Sequence, residues 1–155
     1  MVKSLFVSSS VSEIFPPLRK RIQKWIYAAK TGNGKLLYQT TVKDNFSKRW
    51  LASHPKWKEQ SIAYFENLDF QAVIRLCNSF ENMYLTPELK NIKAPVMLVV
   101  GEKDILKPYK PYTERIAQSI PHADTLIIAG AGHACHIEAP RAWNAALIGF
   151  IELNM

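Results

Sequence analysis

Two residues in this chain have types and placement suited to chemistry, Asp104 and His133. Each sits in a turn that closes a short apolar run: Gly101-Glu-Lys-Asp104 follows Pro95-Val-Met-Leu-Val-Val100, and Ala129-Gly-Ala-Gly-His133 follows Asp124-Thr-Leu-Ile-Ile128. A carboxylate beside an imidazole supports proton transfer. The acid accepts a hydrogen bond from one ring nitrogen and fixes the tautomer, and the other nitrogen takes a proton from a nucleophile and returns it to a leaving group. Gly130 and Gly132 suit this role, because glycine permits the tight positive-φ path that brings a following side chain to a sheet rim. Singly, each residue has a plainer use. Asp104 can cap its own turn, and His133 can be satisfied by a backbone carbonyl. Glu102 is an alternative acid or a solvated turn residue. The joint placement of Asp104 and His133 carries the chemical reading.

The elements that must position them follow from the pattern of apolar residues. Pro95–Val100 and Asp124–Ile128 have strand length, and the spacing predicts a helix over Pro111–Ile120 with Tyr112, Ile116 and Ile120 on one stripe. Strand, helix and strand at this length form a crossover between parallel strands, which puts both turns at carboxyl ends of the sheet. Upstream, Val2–Val7 is a buried strand ended by Ser8-Ser-Ser10. Pro17 suits the first turn of an amphipathic helix running to Lys30, with Leu18, Ile22, Trp25, Ile26 and Ala29 on its apolar face. One or two short helices cover 35–53, another covers 56–67, and Asp69 is placed to cap a helix carrying Phe70, Val73, Ile74, Cys77 and Phe80. Pro140 opens a last helix with Trp143, Ala146, Leu147, Phe150 and Ile151.

Composition narrows the classes. A chain of 155 residues with 48% hydrophobic and 21% charged residues is an ordinary globular domain. Its apolar runs are shorter than a membrane span, and the N-terminus lacks a signal-like block. Cys77 and Cys135 give no disulfide framework, so a reducing, cytoplasmic setting is expected. The net charge of +7 includes a dense patch at Arg19, Lys20, Arg21 and Lys24, without any nucleic-acid-binding pattern beside it. A solvated helix face explains the patch, and neither a nucleic-acid nor a membrane partner is expected. His133-Ala-Cys135-His136 invites a metal reading, but no matching Cys or His pair stands elsewhere, so neither a metal nor another cofactor is expected. Cys135 reads as a small core side chain, and Glu138 as an acid favoured by the dipole of the following helix.

The paired motifs, with Ile137-Glu-Ala-Pro140 after them, resemble the last third of an α/β-hydrolase. The similarity runs over essentially the whole chain. The first strand resembles the family's sixth, and Pro95 and Asp124 open strands that resemble its seventh and eighth. The implied fold class is α/β: about three parallel strands with flanking helices and a helical cap insertion. Residues 1–16 and 81–155 would form the core, and 17–80 the cap plus crossover helix. By the same resemblance Asp104 is the triad acid and His133 the triad base. Trp25, Trp50, Trp57 and Phe65 would line a substrate pocket, although packing within the cap explains them equally well.

The family's nucleophile belongs to a G-x-S-x-G-like elbow that these residues lack, with oxyanion donors near it. Ser8, Ser9 and Ser10 lack the flanking glycines, and strand-end hydrogen bonding is their better reading. The expectation is a hydrolase portion, inactive alone, that acts on a small-molecule substrate once an N-terminal half completes it. The alternative is a non-catalytic interaction module, or an incomplete gene product, descended from such an enzyme. In either case the edge of strand 2–7 invites self-association or a partner chain.

Overall fold

The computed structural model describes residues 2–155. Three parallel strands, β1 (Leu5–Ser8), β2 (Val96–Gly101) and β3 (Asp124–Ile128), lie in the order β1-β2-β3. The register pairs Leu5 with Val96, Val7 with Leu98, and Gly101 with Ile128. Alternation along the strands then sorts the side chains onto two faces. Leu5, Val7, Val96 and Leu98 pack with Ile116 and Ile120 on one face, where α6 (Glu114–Ser119) lies. Phe6, Met97 and Val99 pack with Cys135 and Trp143 on the other, against α7 (Cys135–Glu138) and α8 (Pro140–Leu153). Phe6 is the pivot of this second layer, edge-on to the Trp143 ring at 5.3 Å and tilted against Phe150 at 6.1 Å.

Five α-helices and a 3-10 helix (Thr86–Asn91) separate β1 from β2; the α-helices are α1 (Pro16–Lys30), α2 (Gly34–Asn45), α3 (Lys48–Ser53), α4 (Pro55–Glu66) and α5 (Phe70–Glu81). Their boundaries follow local chemistry. Pro16 and Pro17 open α1, whose missing amide donors cost nothing in a first turn. Asn33, Ser47 and Asp69 each accept a backbone N–H at the start of α2, α3 and α5, from Leu36, Trp50 and Ala72. Two apolar cores hold the block together. One joins Leu18, Ile22 and Ile26 of α1 to Cys77 of α5 and to Leu106, and the other joins Tyr38 and Val42 of α2, with Phe46 just after it, to Trp57, Ile62 and Phe65.

Two expected boundaries shift. The first strand starts at Leu5 rather than Val2, and Val2 is 68% exposed. Leu5 N–H donates to the Pro95 carbonyl and β2 begins only at Val96, so residues 2–4 have no strand beside them. The helix expected over 111–120 is regular only across Glu114–Ser119. Tyr109–Thr113 is a wider helical turn with extended backbone at Lys110, in a stretch where Pro108 and Pro111 supply no amide donor. The stripe itself holds: Tyr112, Ile116 and Ile120 are all buried. Among the described residues, no helix is long and apolar enough to cross a membrane.

Candidate active site

The two turns at the carboxyl ends of β2 and β3 are stitched together through their backbones. Glu102 N–H donates to the Ile128 carbonyl at 2.9 Å and Lys103 N–H to the Ala131 carbonyl at 2.8 Å. In return, the Glu102 carboxylate accepts Gly130 N–H at 2.8 Å, a bond that, with help from Lys103, holds its carboxyl below the ordinary glutamate range. Glu102 is the exposed turn residue the sequence suggests, and its carboxylate also braces one turn against the other. Gly101 is required by close approach, since a Cβ there would meet the Gly132 and Ala131 carbonyl oxygens at 2.1 and 2.4 Å. Gly130 has φ of +72°, the left-handed region that favours glycine.

Asp104 uses its two carboxylate oxygens for two purposes. Oδ1 accepts the backbone N–H of Leu106 at 2.9 Å and of Lys107 at 2.8 Å, which closes the turn. Oδ2 accepts His133 Nδ1–H at 2.9 Å. Both uses considered for this residue are thus present together. A carboxylate is acceptor-only, so the arrangement suits a proton on Nδ1 in the shared bond. The imidazole is then held in the tautomer whose Nε2 can accept a proton.

His133 stands on the wall of a cavity of about 320 Å³. Leu18, Ile22 and Trp25 of α1, Leu37 of α2, and Val73 of α5 supply much of the apolar lining, and Leu106 and Lys107 enter from the acid turn. Of the four aromatic residues considered for a pocket, Trp25 and Phe65 line this cavity. Trp50 and Trp57 do not. They pack on each other and on Phe46, with ring centroids 4.5 to 5.3 Å apart, and stabilise the helical block itself.

The serines after β1 point elsewhere. Ser8 Oγ accepts Trp143 Nε1–H at 3.0 Å, and the Ser8 and Ser9 hydroxyls lie 3.5 and 3.8 Å from Cys135 Sγ. Neither makes a hydrogen bond with His133. Ser9 N–H bonds the Val99 carbonyl, which is the strand-end role expected of this stretch, and Ser9 takes a positive φ of 46° as the chain leaves the sheet. Cys135 is fully buried among Val99, Ile128 and Ala131.

Three residues do more than their local sequence indicated. Glu138, expected only to favour a helix N-terminus, accepts both the N–H and the hydroxyl of Ser47, 91 residues away, and ties the end of α7 to the N-cap of α3. Arg21, expected on a solvated face, pairs with buried Asp44 and donates to the Ile105 carbonyl at 3.2 Å, linking α1 to α2 and to the acid turn. Lys107 reaches the cavity wall, where burial holds its ammonium below the ordinary lysine range against the pull of Asp104. No local signal marks the first two. Lys107 could have been suspected from its place three residues after a candidate acid.

Parallel strands, an acid after one and a histidine after the next, and a helical block before them define an α/β-hydrolase, of which this chain has the fold of the carboxy-terminal part. No family model matches the chain. The likeness to particular proteins is nevertheless extensive. The structure of MGS-M2, an α/β-hydrolase enzyme from a Medee basin deep-sea metagenome library, superposes with a TM-score of 0.91 at 29% identity, over 98% of this chain and 57% of that one. The enol-lactonase from Burkholderia xenovorans LB400 superposes with a TM-score of 0.86 at 18% identity, over 97% of this chain and 56% of its own, a likeness of fold alone. Carboxylesterase YbfK of Bacillus subtilis is 29% identical over 99 residues, which are 63% of this chain and 33% of the esterase. The chain thus spans about a third of that esterase and a little over half of the two solved chains.

Proposed function

We propose that this chain supplies the acid–base pair and the substrate-covering helices of a hydrolase acting on ester, amide or related bonds, and that nucleophile and oxyanion donors come from outside these 155 residues. The observation that carries the reading is the 2.9 Å bond from His133 Nδ1 to Asp104 Oδ2, with the imidazole on the wall of an apolar cavity. In this mechanism His133 Nε2 takes the proton of an attacking hydroxyl as its oxygen bonds to the substrate carbonyl carbon. The imidazolium is stabilised by Asp104, which stays ionised. The same proton passes to the leaving group as its bond to carbon breaks, and a water repeats the cycle to release the acid. The α1–α5 block acts as the cap that shapes the pocket and excludes water. The relatives named above include a carboxylesterase, which supports acyl transfer as the reaction class.

The outer side of β1 is where a nucleophile-bearing half would pair. Leu5 and Ser9 turn their amides toward β2, so the intervening Phe6 and Ser8 present theirs on the open edge. A fluorophosphonate probe and a chromogenic ester test the reading. Neither labelling nor turnover is expected from the 155 residues alone. Both are expected when the chain is combined with the amino-terminal half of an α/β-hydrolase, and turnover should vanish with His133→Ala. Turnover indifferent to His133→Ala would end the proposal.

A further inference from the structure

The cavity beside His133 holds a second polar group that acid–base chemistry leaves unused. Lys107 lies on its wall, and its backbone N–H donates to Asp104 Oδ1 at 2.8 Å. The carboxylate that orients the imidazole therefore also fixes where the lysine side chain leaves the main chain. The surrounding wall is apolar: Val11, Leu18, Ile22 and Leu106 are all buried. Of the neighbouring polar donors, Thr41 Oγ1 is engaged by the Leu37 carbonyl, and Asn45 Nδ2 gives one of its two N–H groups to the Thr41 carbonyl. Among the described residues, no carboxylate oxygen lies within 4.0 Å of the Lys107 ammonium.

A partly desolvated cation without a close counter-ion carries a cost that a bound anion recovers. Burial depresses the affinity of Lys107 for its proton, in keeping with that cost. We propose that Lys107 is a specificity-determining residue that binds a carboxylate carried by the substrate, so that the site takes carboxylate-bearing acyl compounds in preference to neutral ones. A single ammonium among apolar walls matches a monoanion on a short methylene chain, whereas a phosphate dianion calls for several converging donors. That the ligand is a substrate rests on the hydrolase reading; that an anion binds does not.

The test is a calorimetric titration of the full chain with monomethyl adipate and with methyl hexanoate, which differ only in a carboxylate replacing a terminal methyl. The anionic ester is expected to bind roughly tenfold more tightly, or better, from one charge-assisted contact. Lys107→Met should abolish the preference for the anionic ester, and Lys107→Arg should keep it. Equal binding by the unaltered chain, no binding of either ester, or a preference that survives Lys107→Met would overturn the assignment. Because the readout is binding, it separates from the hydrolase reading. A Lys107-dependent preference with no turnover in the complemented enzyme would sink that reading and leave the anion site standing.

Discussion

The turns that hold Asp104 and His133 and the helices that cover them are stabilised in different ways. In the turns, carboxylates meet backbone amides, Glu102 to Gly130 and Asp104 to Leu106 and Lys107. Such bonds are directional and leave little freedom. In the α1–α5 block, stacked and edge-on rings and aliphatic contacts dominate, and side-chain ties to the sheet region are few, chiefly Glu138 to Ser47 and Arg21 to Ile105. Apolar contact is non-directional and tolerates change of shape. The Asp104–His133 pair is thus held by directional bonds, while the apolar surface that covers it can vary in shape.

The comparison can be broken most severely at the imidazole. In the complemented enzyme, His133→Ala should lower kcat by roughly 10³-fold or more, with a stability loss of about 1–3 kcal/mol because the buried Asp104 Oδ2 loses its partner. An undiminished kcat would make His133 a structural group. Next, Gly101→Ala should cost about 3 kcal/mol in denaturant unfolding, because two backbone carbonyls must retreat from the new methyl. A near-neutral result would mean that the turns slide where they are described as locked. Glu138→Ala removes an acceptor from two Ser47 donors and should cost about 1–2 kcal/mol, with protection from hydrogen exchange lost first in α3. Equal loss of protection in the turns would erase the contrast between the two regions.

The smallest effect is pH-linked. The Glu102 carboxyl is held low chiefly by Gly130 N–H, so the folded chain binds fewer protons than the unfolded one as pH falls through the glutamate range. Its stabilising contribution is complete above the ordinary glutamate pKa and is lost as pH drops through the lowered folded value. Glu102→Gln should therefore flatten the acid limb of the stability profile slightly. An unchanged limb would show that the brace is not formed in solution.

What could be read from sequence divides along the same line. Asp104, His133, the two strands and the buried stripe of Tyr112, Ile116 and Ile120 were legible because local patterning dictates them: apolar runs, glycine turns and a helical period. The separate tasks of Trp25, lining the cavity, and Trp50, stacked within the block, were not, since both are tryptophans on amphipathic helices. Glu138 and Arg21 were misjudged for a related reason. Each obeys a valid local rule about dipoles or solvated faces, and a distant partner overrides it. The late start of β1 depends on where β2 begins, some ninety residues away, which no window over residues 2–7 contains.

The divided loyalty of the Asp104 carboxylate has a further consequence for how this segment can change. Positions 105, 108 and 109 contribute no side chain to its bonds and are open to resequencing. The count of residues between the acid and Lys107 is not, because inserting one there would present the wrong amides to Oδ1 and swing Oδ2 away from the ring. Descendants of this chain can repaint the loop but cannot lengthen it at that point without parting the Asp104 carboxylate from the His133 ring.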